Sequence, residues 1–135
     1  MPWIIEYFEE EDGTQPAEVF EDALDSSADR DTRKIGGKLI RVMDQVAQDG
    51  FRTGGGYAEA CHDVPGIWQM NADVGRKRGR EFFAFDADKV ILLGGALKGP
   101  REPTPPIAYA EARRCLDEYE KTGRVSPEEA DDEQV

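Results

Sequence analysis

Arg80-Glu81-Phe82-Phe83-Ala84-Phe85-Asp86-Ala87-Asp88-Lys89-Val90-Ile91-Leu92-Leu93-Gly94-Gly95-Ala96-Leu97 is the stretch on which the fold turns. Residues 80–85 and 90–97 are rich in aromatic and β-branched side chains, and four short polar or small residues separate them. Two such runs joined by so tight a connection predict an antiparallel hairpin. Gly94-Gly95 falls late in the second strand, where glycine signals a bulge or the close approach of a ligand or partner backbone. Residues 66–71 supply a third strand signal upstream, and residues 72–79 read as a longer basic loop between it and the hairpin.

Outward from this core, Trp3-Ile4-Ile5-Glu6-Tyr7-Phe8 reads as an opening strand. The run Glu9-Glu10-Glu11-Asp12-Gly13 reads as a solvated turn. Thr14 before Gln15-Pro16 is the expected cap of a short helix carrying Phe20, Ala23 and Leu24. A second helix is expected from about Ser27 to Asp49, stopped by Gly50. Ile35, Leu39, Val42, Met43 and Val46 recur along it at three- and four-residue steps, which makes one apolar face. Gly36-Gly37 inside that helix predicts a kink or a close crossing. Residues 50–66 carry no regular pattern. Pro105 or Pro106 opens a last helix lined by Ala108, Ala112, Cys115, Leu116 and Tyr119, and Gly123 closes it. Helices grouped first and strands grouped later give an α+β class: a twisted antiparallel sheet with two N-terminal helices and one C-terminal helix.

The chain has 135 residues, the size of one domain, with 39% apolar and 34% charged residues. That composition predicts a folded body over residues 1–123, followed by an acidic, disordered tail over 124–135. No apolar run approaches the roughly 18 residues of a membrane span. Met1-Pro2-Trp3-Ile4-Ile5 lacks the basic start and apolar core of a secretory leader, so a cytoplasmic protein is expected. Cys61 and Cys115 are too few for a disulfide framework and too far apart for a metal-ligand spacing. No metal and no cofactor are expected.

The net charge is −12, but it is unevenly spread: −9 over residues 1–65, +3 over 66–114 and −6 over 115–135. The excess of positive charge therefore falls on the last strands and the start of the last helix. Arg76, Lys77, Arg78 and Arg80 lie together there, with Lys98 and Arg101 just past the final strand. Guanidinium forks and ammonium groups suit phosphate, so this cluster is either an anion-binding face or an ordinary solvated hairpin loop. Trp68, Phe82, Phe83 and Phe85 belong to the sheet, and strand parity alone does not show which of them reach such a face. His62 is the lone histidine; without a nucleophile or second histidine nearby it reads as a loop residue rather than a general base. Cys61 beside it reads as a free thiol, and Cys115 as core. Gly54-Gly55-Gly56 lacks the Gly-Lys-Ser/Thr ending of a phosphate loop and reads as a connector.

Several segments also follow one another in a telling order. They are the opening residues 3–24, with Asp12-Gly13-Thr14-Gln15-Pro16; Ile67-Trp68-Gln69-Met70-Asn71; Arg80-Glu81-Phe82-Phe83-Ala84-Phe85; Val90-Ile91-Leu92-Leu93-Gly94-Gly95-Ala96-Leu97; and Lys98-Gly99-Pro100-Arg101-Glu102-Pro103 leading to Ile107 and Ala110. In order and spacing this resembles the HigB-like, phage-derived branch of the RelE/ParE toxin superfamily, without that branch's histidine in the strand over 90–97. The resemblance implies a compact RelE-like toxin domain over residues 1–123. It implies an endoribonuclease that cuts messenger RNA, commonly on the ribosome, without a metal, and that a cognate helix-turn-helix antitoxin restrains. Carried onto matched positions, Arg80 and Arg101 hold the phosphate and Lys98 clamps it or shuttles a proton; Arg76, Lys77 and Arg78 of the basic cluster are then expected to bind RNA. Two other readings stay open: a non-catalytic module of the same fold that binds an antitoxin-like or phage partner, and a gyrase-directed toxin of the ParE type. The acidic tail either competes with RNA phosphates for Arg76, Arg78, Arg80 and Arg101, or serves only solubility.

Overall fold

The computed structural model describes residues 2–127. A strand β1 (Ile4–Phe8) leads to helices α1 (Pro16–Asp25) and α2 (Arg30–Asp49) and a single 3-10 turn (Gly50–Arg52). Strands β2 (Ala58–Ala60), β3 (Trp68–Val74), β4 (Lys77–Asp86) and β5 (Lys89–Lys98) follow, then α3 (Pro106–Thr122) and a short β6 (Val125–Pro127). All six strands form one sheet in the order β2-β3-β4-β5-β1-β6. The α+β class holds, and β3, β4 and β5 are antiparallel as expected; the unexpected β2 also pairs antiparallel with β3, and β1 runs parallel to β5.

Two apolar layers clamp the sheet. On one face Ile35, Leu39, Val42, Met43 and Val46 of α2, with Leu24 of α1, bury against Met70, Phe83, Val90 and Leu92. Each such side chain removed from water contributes roughly 1.5–3 kcal/mol, so this face defines the core. On the other face Ala112, Cys115, Leu116 and Tyr119 of α3 bury against Phe8, Phe82, Ala84, Ile91 and Leu93. Trp68, Phe83 and Phe85 stack together on the α2 face, while Phe82 meets Tyr109 of α3 at a ring-centroid distance of 5.4 Å. Every aromatic of the expected strands is thus committed to packing.

Several boundaries differ from the sequence reading, each for a local reason. The N-cap position of the first helix falls on Gln15, whose side chain makes no capping bond, and Thr14 instead donates its amide to Asp12 Oδ1 (3.0 Å) in the preceding turn. The second begins at Arg30 rather than near Ser27: the carboxylate of Asp29 accepts from the amide (2.9 Å) and hydroxyl (2.8 Å) of Thr32. It continues unbroken through Gly36-Gly37, and Gly36 marks a close crossing, since a Cβ there would stand 2.7 Å from Asp25 Oδ1. The basic loop expected over 72–79 is instead strand on both sides of Gly75-Arg76, with Asp73 opposite Arg78 and Val74 opposite Lys77. Within 50–66 the short strand β2 pairs with the start of β3.

The chain past Gly123 also carries structure that the expected tail did not allow for. Residues 125–127 pair antiparallel with β1 and cover its otherwise open edge. Arg124 holds the approach by donating to the Glu9 carbonyl (3.3 Å) and to Glu118 Oε2 (3.2 Å). Residues 128–135, the bulk of the expected tail, lie outside the described residues. Among the described residues no helix is long and apolar enough to cross a membrane.

Candidate functional site

Strand alternation assigns a face to every residue of the last three long strands. In β3, Trp68, Met70, Ala72 and Val74 turn toward α2, which leaves Gln69, Asn71 and Asp73 on the opposite face. In β4, Phe82 and Ala84 lie under α3, so Arg80 and Arg78 continue that same face beyond the helix. Lys98 is opposite Arg78, and Ala96 is opposite Arg80. The outcome is an open, polar patch of sheet beside α3, bearing Arg78, Arg80, Lys98, Asp73, Asn71 and Gln69.

A single irregularity in β5 brings Lys98 there. Val90 and Leu92 face α2, so unbroken alternation would carry Lys98 to the α2 face as well. The register instead slips by one residue: Phe83 pairs with Leu92 while Phe82 pairs with Gly94, which leaves Leu93 extra. This β-bulge inverts the parity of everything after it. Gly94 accommodates it at φ 130°, a conformation that side chains rarely adopt. Gly95 then lets Phe20 of α1 lie directly on the strand, because a Cβ there would stand 2.4 Å from the ring. Of the alternatives expected for the pair, the bulge is present, and what approaches Gly95 is the side chain of Phe20.

Within the patch, Asp73 organises the arginines. Its Oδ1 accepts from Arg80 Nη1 at 2.8 Å, and its Oδ2 lies 3.7 Å from Arg78 Nε. The Arg80 side chain is only 12% exposed and also donates to the Gly79 carbonyl, so it is held in place. Arg78 donates to the Gly75 carbonyl (2.9 Å) and remains half-buried. Lys98 has no carboxylate within ion-pair distance among the described residues. Beside them Gln69 Nε2 donates to Asn71 Oδ1 (3.0 Å) and both side-chain amides reach Glu59 Oε2. Asp73, Asn71 and Gln69 were not foreseen as site residues. The register Asp73↔Arg78 would have exposed them had the turn been placed at Gly75-Arg76.

The other candidate residues are dispersed. Lys77 turns to the α2 face, where its Nζ lies 3.9 Å from the capping carboxylate of Asp29. Arg76 occupies the exposed tip of the β3–β4 turn. Arg101 sits in the turn after β5, in which the Glu102 amide donates to the Gly99 carbonyl (3.3 Å) and Glu102 Oε1 accepts from the Gly99 amide (2.7 Å). It is exposed and holds φ at 64°, a left-handed conformation that strains a side-chain-bearing residue by about 1–2 kcal/mol. Replacing Arg101 by glycine should therefore stabilise the fold, raising Tm by roughly 2–6 °C. A thermal melt of the variant beside the natural chain checks the sign. His62 lies exposed in the loop between β2 and β3. Burial pushes the Cys61 thiol up to about 11, which keeps it protonated at neutral pH and a poor nucleophile.

No family model matches the chain, and no curated protein matches it.

Proposed function

We propose that the protein is a toxin-type endoribonuclease that cuts messenger RNA in the cytoplasm, on or off the ribosome, and is restrained by a cognate helix-turn-helix antitoxin. The observation that carries this reading is the bulge at Leu93-Gly94, which sets Lys98 beside Arg78 on an open sheet face with Asp73 between the arginines. The reaction needs three things at one phosphate: positive charge, a proton acceptor and a proton donor. In it the ribose 2′-oxygen attacks the adjacent phosphorus in line and the 5′-oxygen leaves. A 2′,3′-cyclic phosphate and a 5′-hydroxyl result. Arg78 and Lys98 suit the charged phosphate oxygens, and the Lys98 ammonium suits protonation of the departing oxygen. The Asp73 carboxylate suits the proton of the 2′-hydroxyl. Arg80 then acts through Asp73 as a positioning residue, a role different from the phosphate clamp that the family resemblance implies.

The pairing of both arginines with Asp73 favours one other reading, a non-catalytic module of the same fold whose arginines are already engaged by a carboxylate. One experiment separates the two. The purified protein is incubated with an end-labelled oligoribonucleotide and chelator, with and without translating ribosomes, and its expression is tested for growth arrest in a bacterial host. Fragments ending in cyclic phosphate, together with arrest that the neighbouring gene relieves, are expected. Intact RNA in both arms and normal growth would leave the binding module.

A further inference from the structure

The strongly negative N-terminal half conceals a basic stretch: residues 30–41 hold five basic residues and one acidic residue. Because α2 turns Ile35, Leu39, Val42 and Val46 inward, Lys34, Lys38 and Arg41, four and three residues apart, fall along one outer flank. Lys34 and Arg41 are exposed, and Lys38 Nζ donates to the Asp73 carbonyl at 2.8 Å, which fastens α2 to β3. Between this flank and the sheet edge opens a cleft of about 280 Å³, lined by Lys38, Arg41, Val42, Gln45 and Tyr57. Tyr57 is 50% exposed, and its backbone is anchored to β3. Its carbonyl accepts from the Asn71 amide (2.8 Å), and Gly55 lies so close that a Cβ would come within 3.3 Å of the ring.

A half-exposed aromatic ring flanked by a guanidinium, an ammonium and a carboxamide is the combination that suits a nucleobase with its phosphates. An acidic protein segment would use the cations but leave the ring idle. The cleft also has a defined relation to the open face. Asp73 gives its carbonyl to Lys38 on one side of the sheet and its carboxylate to Arg80 on the other. Only the three-residue edge strand β2 and the glycine-rich loop before it separate the two surfaces beyond β3.

We infer that the cleft between α2 and β2 is a second contact for single-stranded RNA, with Tyr57 stacking a base and Lys34, Lys38 and Arg41 meeting the backbone. This rests on RNA being the protein's polymer, and it assigns binding to residues outside the proposed reaction site.

The test uses the full chain carrying Arg78→Ala and Lys98→Ala, so that the open face contributes little, and a fluorescent 12-nucleotide single-stranded RNA. Adding Tyr57→Ala should weaken binding by roughly 5–100-fold, whereas Tyr57→Phe should leave it unchanged. Arg41→Gln should reduce the slope of log affinity against log salt by about 0.7. Should Tyr57→Ala fail to fold, Tyr57→Leu keeps the bulk without the stacking face and gives the same readout. Affinity indifferent to the loss of the ring overturns the inference, whatever Arg41→Gln does. Displacement of the RNA by an acidic peptide whose own affinity ignores Tyr57 also overturns it and assigns the cleft to a protein. RNA binding that depends on Tyr57 in a protein that never cleaves RNA would reject the nuclease reading and keep this one.

Discussion

On the proposed nuclease reading, substituting alanine for both Lys98 and Arg101 should lower RNA cleavage by about 10²–10⁴-fold and relieve growth arrest while the protein stays folded. The rate effect is large because the proposed proton donor, Lys98, is removed together with Arg101, whose phosphate contact rests on the family resemblance alone. The stability effect is small because neither side chain belongs to the core: Lys98 is half-buried at the end of β5 and Arg101 is exposed in the turn beyond it. Surface changes of that kind usually stay within about 0.5 kcal/mol, and relief of the strain at Arg101 is absent because alanine also disfavours the left-handed region. Arg80→Ala is the weaker test, since it removes the 2.8 Å bond to Asp73 and confounds positioning with packing. Asp73→Asn complements the double variant. It keeps the shape of the patch but removes the proposed proton acceptor, so it should lower the rate. A fully active double variant would dismiss Lys98 and Arg101 as the site.

The second large effect lies beneath the sheet. Glu81 is completely buried on the α1/α2 face, and neither of its carboxyl oxygens has a hydrogen-bond partner. Its neighbour is another carboxyl, that of Glu21 on α1, which accepts from Tyr7 Oη at 2.7 Å and has its second oxygen buried without a donor. A proton on Glu81 supplies the missing donor. Burial, and then the proximity of Glu21, hold the Glu81 carboxyl well above the usual carboxylate range. In the unfolded chain a glutamate releases its proton near pH 4.3, so between that value and the raised folded one unfolding sets a proton free. The stabilisation is complete below the unfolded pKa and declines as pH rises, by up to about 1.4 kcal/mol per pH unit. Glu81→Gln retains a donor toward Glu21 but cannot ionise. Urea titrations at pH 5, 6, 7 and 8 should therefore show a falling stability for the natural chain and a flatter one for Glu81→Gln, with the variant the more stable at pH 8. Parallel curves would mean that Glu81 takes no part in the pH dependence.

Much of the core could be read directly. The three- and four-residue recurrence of Ile35, Leu39, Val42 and Val46 specifies a helical face whatever it packs against, and all four are buried on the sheet. The hairpin of β4 and β5 was legible because its turn is short and its strands are aromatic and β-branched. The β3–β4 hairpin was not, because Arg76, Lys77 and Arg78 look like loop residues until strand pairing places Asp73 and Val74 across from them. The last strand was likewise hidden: three residues have no intrinsic preference strong enough to declare a strand, and the open edge of β1 makes one of them.

The candidate site divides in the same way. Composition alone located the basic residues, and Gly94-Gly95 marked where the strand would depart from regularity. Faces were another matter. Counted from Val90, Lys98 belongs on the helix-covered side, and the extra residue at Leu93 moves it to the side of Arg78. The sequence by itself determined the class of fold, its apolar layers and the kind of charge at the end of its last strands, because these follow from periodicity and residue chemistry. Which basic residues share a surface, which carboxylate joins them and which glutamate loses all contact with water were decided only by the tertiary structure. Those properties depend on register, where a shift of one residue exchanges the two faces of a strand.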